Sequence, residues 1–200
     1  MSVAAFDHGP KCCSLGRAVG CCEGRWNILI VFGGLPGTGK STIATVLAAK
    51  NAFTYVRVDE IENALSLHVE PKRKVGTEGY HVAFAVSLSN LRLGNNVVAD
   101  SVNSVRESRD GWRQVAQQAG VPLLEVECVC SDEAEHRRRV ETRVTDVTGW
   151  TLPLWSEVRS REYEPWVTGP LVIDTATLGP DEGVRKIEAH IAARSATHHA

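Results

Sequence analysis

Five short runs of β-branched and apolar residues punctuate the chain, at Ile28–Phe32, Thr54–Val58, Asn96–Ala99, Leu123–Cys130 and Leu171–Ile173. Between them the apolar positions change period. Ile43, Val46 and Leu47 make a first helical stripe. Tyr80, Phe84, Leu88 and Leu91 recur at spacings of four, four and three, which places them on one helix face. Ser104-x-x-Glu107 reads as a capping box opening a helix whose buried stripe is Trp112, Val115, Ala116 and Ala119. Asp132–Arg143 predicts a charged helix and Asp181–Ala193 a last one. Strands alternating with helices imply βαβ units, so the expected class is α/β: three layers, with about five mostly parallel strands and helices on both faces.

Composition narrows this picture. Two hundred residues suit one domain, and 43% hydrophobic residues can bury a real core. A formal net charge of −2 supplies no global basic field for nucleic acid or anionic lipid. No apolar run approaches the roughly 18 residues of a membrane helix, and no cationic stretch leads into an apolar one as in a secretory signal. The expected location is cytoplasmic. Cys12-Cys13 and Cys21-Cys22 lie in a Gly-rich polar leader without the spacing of a zinc site. Residues 1–25 are therefore expected to be a loose extension, and residues 26–200 the single domain. Cys128 and Cys130 fall on one face of a strand, where free thiols behave as small hydrophobes.

The segment GGLPGTGKST, between ILIVF and IATVLAAK, carries the sharpest chemistry. Gly34, Leu35, Pro36, Gly37, Thr38, Gly39, Lys40 and Ser41 spell the Walker A phosphate-binding pattern between a strand and a helix. Glycines let successive backbone N–H groups converge on one concavity, and the following helix adds its own unpaired N–H groups there. Lys40 supplies a point charge for the β- and γ-phosphates, Ser41 a hydroxyl for Mg²⁺, and Thr42 approaches the α-phosphate side. The expected cofactors are ATP and Mg²⁺. A guanine-specifying N-K-x-D is missing from the sequence, and neither the hhhhDE motif nor the helical lid domain of AAA+ machines fits it.

From this loop to about residue 193 the chain resembles the nucleoside-monophosphate-kinase-like group of P-loop NTPases. The likeness is to its small-molecule and polynucleotide kinase branch, which includes gluconate kinase, adenylylsulfate kinase, chloramphenicol phosphotransferase and zeta-toxin-like kinases. The marks are GLPGTGKST, VRVDEI, VVADSVN and EHRRRVETR. The resemblance implies that Asp59 orients and deprotonates an attacking hydroxyl, although an aspartate there also suits a helix cap. It also implies a short lid over ATP at Val144–Pro153, and an adenine passing Asp174-Thr175-Ala176. Asp100 ends an apolar run as a Mg²⁺-holding carboxylate does, and Ser101 follows where a hydrolytic glutamate would stand. Arg137, Arg138, Arg139 and Arg143 crowd one helix. Arg139 and Arg143, four apart, are the pair expected to reach a moving phosphoryl.

Other residues leave alternatives open. Arg106, Arg109 and Arg113 suit an anionic or polyhydroxyl acceptor, or structural ion pairs, with Asn103 better placed as a polar contact. Lys72, Arg73 and Lys74 read as a solvated loop or a phosphate contact. His68 and His81 read as surface or packing residues, and Trp155 and Trp166 as anchors under the lid. The reading is a kinase moving the γ-phosphoryl of ATP to a small-molecule hydroxyl, as a monomer or homodimer away from membranes. The alternatives are a polynucleotide 5′-hydroxyl kinase and a nucleotide-dependent binding module without an acceptor.

Overall fold

The computed structural model describes residues 27–68, 76–144 and 152–197. The leader, the Lys72–Lys74 triplet, Trp150 and most of the expected lid lie outside the described residues. In chain order the elements are β1 (Leu29–Gly33), α1 (Lys40–Asn51), β2 (Thr54–Arg57), α2 (Val58–His68), α3 (Glu78–Arg92), β3 (Val97–Asp100), α4 (Arg106–Ala119), β4 (Leu123–Val129), α5 (Glu133–Thr142), α6 (Trp155–Ser160), β5 (Leu171–Asp174) and α7 (Pro180–Thr197). The five strands pair in the order β2-β3-β1-β4-β5, and every pairing is parallel. All the expected strands are present, each within a residue or so of its predicted bounds.

Strand periodicity builds the layers. Ile28, Ile30 and Phe32 point to one face, where they meet Ile43, Leu47, Ile187 and Ile191 of α1 and α7. Leu29 and Val31 point to the other, against Ala83 and Leu91 of α3 and Trp112 and Val115 of α4. A strand buried on both faces must be apolar throughout, and β1 is. Trp112 is the largest fully buried side chain; Phe84 meets it edge-on at 4.7 Å, and its indole N–H donates to Asn103 Oδ1 at 3.1 Å. Burying one such aromatic stabilises by about 2–3 kcal/mol.

Two local expectations are corrected. The capping box does not form: α4 has Val105 at its N-cap, and the Arg106 N–H is taken by the distant Glu164 carboxylate. A far side chain thus accepts from one of the first-turn N–H groups. The short α6 was not expected; its six residues carry too few apolar positions to show a period. None of the described helices is long and apolar enough to cross a membrane.

Candidate active site

After β1 the chain turns through the glycine loop into α1. Gly34, Gly37 and Gly39 hold φ of 139°, 88° and 80°, which L side chains avoid. Close packing adds a second constraint at two of them. A Cβ on Gly34 would lie 2.3 Å from the Cys128 carbonyl oxygen, and one on Gly37 2.5 Å from Val140 Cγ2. The scaffold grips the loop from outside. Gly34 N–H donates to Val102 O (3.0 Å), Thr38 Oγ1 to Leu35 O (2.8 Å), His136 Nε2 to Pro36 O (2.8 Å) and Thr175 Oγ1 to Thr38 O (2.8 Å).

The helix behind the loop is unusual in its charge. Every other described helix has an acidic residue in its first turn; α1 has none, and its N-cap, Gly39, offers no side-chain acceptor. Its first-turn N–H groups and positive dipole end are left for something else that is anionic.

That helix end opens into a cavity of about 680 Å³. Among the described residues its walls carry six cationic side chains, Lys40, Arg57, Arg138, Arg139, Arg143 and Arg161, and one carboxylate, Asp59. Ser41, Thr42, Thr45, Leu152 and Pro153 also line it. A neighbouring cavity of about 340 Å³ shares Gly39, Thr42 and Arg139, and continues along Thr175–Pro180 after β5. Arg139 is fixed where the two meet, donating to Glu135 Oε1 (2.7 Å), Thr175 Oγ1 (2.8 Å) and Thr175 O (3.1 Å). Arg143 is half-buried, and its buried Nε has no hydrogen-bond partner among the described residues. Burial lowers its pKa from the usual arginine range; the charge of Asp59 opposes this, while Arg57 and Arg161 reinforce it.

Asp100 is 1% exposed beneath this cavity and does not line it. Its Oδ2 accepts from Tyr55 Oη at 2.7 Å and lies 4.0 Å from Arg57 Nε. Its Oδ1 is buried without a hydrogen-bond partner among the described residues. A buried carboxylate oxygen is costly to leave unmatched, so the atom fits a site for a cation or its water. Thr45 touches the Tyr55 hydroxyl and donates to Ser41 O, which links Asp100 to the first turn of α1. No group of three or more His, Cys, Asp or Glu able to hold a metal occurs among the described residues. Asp100 and Ser41 alone suit Mg²⁺, which takes few protein ligands and relies on water and phosphate oxygens.

The chain from residue 29 to 151, more than half of it, matches the family described as AAA domain. The chain belongs to that family. The matched stretch begins at β1 and takes in the phosphate-binding loop and every strand except β5. The adenylyl-sulfate kinase of Geotalea uraniireducens is 26% identical over 179 residues, covering 87% of this chain and 85% of that one. Among solved structures, the Mycobacterium tuberculosis APS kinase in complex with AMPPNP and APS superposes with a TM-score of 0.61 at 20% identity, over 82% of this chain and 96% of that one. A gluconokinase from Sinorhizobium meliloti gives 0.58 at 19% identity, over 88% and 97%. These likenesses establish the fold of a P-loop NTPase of the kinase-like group.

Within this AAA-domain chain the expected residues separate into those the fold brings together and those it does not. Lys40, Ser41, Thr42, Asp59, Arg139 and Arg143 share one cavity. Asp59 sits in the first turn of α2 and not at the end of a strand, because β2 stops at Arg57. The acceptor-facing role considered for Arg109 is corrected. It is 3% exposed, donates to the carbonyls of Asn103, Ser104, Glu164 and Pro165, and stacks on Trp166 at 4.4 Å. Arg113 pairs with Asp110 and Glu125, and Arg106 with Asp110. Asn103 is fully buried at φ 50°, holding Phe32 O and Trp112, so it is a corner of the core and not a ligand contact. Cys128 is buried beneath the loop and its thiol is pushed up to about 12 by burial, which keeps it inert.

Arg57, Arg161, His136 and Tyr55 carry weight that the sequence reading did not assign. His136 and Val140 are four apart, both buried, and both touch Gly37. That spacing was the available signal, hidden in a run of arginines. His136 also meets Trp155 edge-on at 5.1 Å, which anchors α6 beside the loop.

Proposed function

We propose that the protein is an ATP-dependent phosphotransferase that moves the γ-phosphoryl to a hydroxyl of a small molecule. One observation carries this reading: an acid-free helix N-terminus opens into a cavity lined, among the described residues, by six cations and a single carboxylate. The loop amides and Lys40 hold the triphosphate, and Arg139 reaches it from α5. The Thr175–Pro180 cavity takes the base. Ser41 and Asp100 would hold Mg²⁺, which when bound neutralises charge on the β- and γ-oxygens. The acceptor oxygen attacks the γ-phosphorus in line while its proton passes to Asp59. The bond from phosphorus to the β-bridging oxygen breaks, and ADP leaves with that electron pair. Arg143, across from Asp59, steadies the negative charge spread over the moving phosphoryl.

The kinase names of the relatives support this assignment. The nucleic-acid alternative draws no support from Arg106, Arg109 and Arg113, because Arg109 is buried and Arg106 and Arg113 are ion-paired. The test is transfer from γ-labelled ATP across sugars, nucleosides, antibiotics and oligonucleotides, with Lys40→Ala as the blank. Asp59→Asn should bind nucleotide normally yet lose about 10²–10⁴ in transfer rate. Full transfer by that variant would remove Asp59 from the mechanism.

A further inference from the structure

We propose that the outer face of α3, with the groove between α3 and α4, pairs with a second copy of this chain, the two α3 helices running antiparallel about a two-fold axis. This interface is independent of the phosphotransferase reading. A helix lying on a sheet ordinarily turns an apolar stripe to the core and a charged one to solvent. α3 does the first and not the second. Ala83 and Leu91 are buried against the sheet. Outward it shows His81, Val82, Ala85, Val86 and Ser89, all exposed. Between Glu78 in its first turn and Arg92 in its last, α3 has no Asp, Glu, Lys or Arg. Val82 and Val86 are 40% and 42% exposed, and no other described helix exposes two large apolar side chains. Beside them runs a groove of about 440 Å³ that Phe84, Leu88, Gly111 and Val115 line, with Glu107 and Gln118 toward its two ends. None of these residues lines the cavity at the glycine loop, so pairing here leaves that cavity open.

Two observations select a second copy as the occupant. The first is shape: Val82 and Val86, four apart, make a ridge of the kind that packs between the side-chain rows of another helix. Ridge and groove lie side by side, so each copy can seat its ridge in the other's groove, which is the reciprocal contact of a two-fold. The second is charge. α3 and α4 each lead back into a strand parallel to β1, so they run side by side in one direction. Glu78 and Glu107 therefore stand at one end of the face and Arg92 at the other. Arg92 and Glu107 are exposed, and neither has an ion pair among the described residues. About 20 Å of helix keeps the two ends apart within one chain. Antiparallel packing brings each Arg92 to the partner subunit's Glu107 and opposes the two helix dipoles, whereas parallel packing would set Arg92 on Arg92. Area sets the strength. A face about 22 Å long and about 20 Å wide buries on the order of 450 Å² per copy, about 900 Å² in all, which is below the standard size and suits a reversible, micromolar dimer.

Sedimentation velocity of the full chain from about 1 to 200 µM should show monomer passing into dimer. Val86→Glu places a charge in the seam and should raise the Kd about 100-fold or more. Arg92→Glu and Glu107→Arg should each weaken the dimer about 5- to 30-fold, because the two-fold repeats the clash. All three positions are exposed, so the variants should fold, and thermal melts check that they do. Mixing Arg92→Glu with Glu107→Arg is the decisive arm. Each variant alone sets like charges together, while the mixed dimer has opposite charges at both ends and should regain most of the wild-type affinity. A wild-type chain that stays monomeric throughout, whether its α3 face lies bare or another part of the chain covers it, overturns the proposal. So does a dimer indifferent to Val86→Glu, or a mixture no tighter than its two components.

Discussion

The hydroxyl of Tyr55 is the single atom whose removal best tests how Asp100 is used. Tyr55 Oη donates to Asp100 Oδ2 at 2.7 Å, leaving Oδ1 as the buried oxygen without a hydrogen-bond partner among the described residues. Burial and the neighbouring Asp100 charge raise the tyrosine pKa, so the phenol stays a donor at any working pH. Tyr55→Phe keeps the ring and takes away the donor. A hydrogen bond to a charged group contributes about 1.5–3 kcal/mol, and for a protein of this size that lowers Tm by about 3–12 °C. The stability loss alone would be uninformative. The decisive quantity is the extra Tm gain that Mg²⁺ gives over AMPPNP alone. With its orienting donor gone, Oδ2 can swing, and the geometry that presents Oδ1 is lost. The Mg²⁺ concentration giving half of that gain should rise about tenfold, the equivalent of 1.4 kcal/mol. AMPPNP binding without metal should change little. A folded Tyr55→Phe protein with the wild-type Mg²⁺ response would refute the assignment of Asp100 to the metal through this contact.

Three further outcomes follow from the same coordinates. Gly37→Ala places a Cβ 2.5 Å from Val140 Cγ2 at φ 88°, so besides about 1–2 kcal/mol of backbone strain it must displace α5; calorimetry should find nucleotide affinity lost while far-UV circular dichroism stays native. Glu135 is held near pKa about 2 by hydrogen bonds from Arg138 and Arg139, below its ordinary 4.5. Its contribution is therefore present above pH 4.5 and fades toward pH 2, and Glu135→Gln should flatten the urea midpoint over that window and leave the neutral-to-basic limb alone. Arg109→Met should cost about 3 kcal/mol or more in urea unfolding, since four carbonyls lose a buried donor, and Arg109→Lys should restore little because an ammonium cannot fork.

What the sequence disclosed and what it withheld divide along sequence separation. The five strands, their parallel pairing and the glycine loop rest on patterns within about ten residues, where periodicity and steric demand act directly. The roles of Arg109 and Asn103 rest on partners such as Glu164, Pro165 and Phe32, more than fifty residues away. An arginine in a helix looks alike whether it faces solvent or threads under a tryptophan. Ser104-x-x-Glu107 is the instructive failure. The local rule was sound, but Glu164 offered the Arg106 N–H a better-placed carboxylate, and a tertiary partner overrode the motif. Arg57 was equally invisible, since its importance is that β2 ends on it just where α2 turns Asp59 into the same cavity.

The two acids show why such a site needs more than its residues. Asp59 and Asp100 have the same side chain and lie at the ends of neighbouring strands, Asp100 as the last residue of β3 and Asp59 two residues past β2, yet the fold gives them opposite surroundings. Asp59 lines the cavity among arginines, open to the acceptor hydroxyl of the proposed reaction. Asp100 lies buried, with one oxygen held by Tyr55 and the other without a hydrogen-bond partner among the described residues, and it does not line the cavity. The difference is set by where each acid stands relative to the end of its strand. β3 runs on to Asp100 and keeps it in the sheet, paired across from Phe32 and Arg57. β2 ends two residues before Asp59, and the first turn of α2 lifts that carboxylate out of the sheet. Both strands are four residues long and end side by side, Arg57 beside Asp100, so it is the position of each acid along its own strand that differs. That two-residue offset is what would let one carboxylate serve charge and the other proton transfer in the proposed reaction.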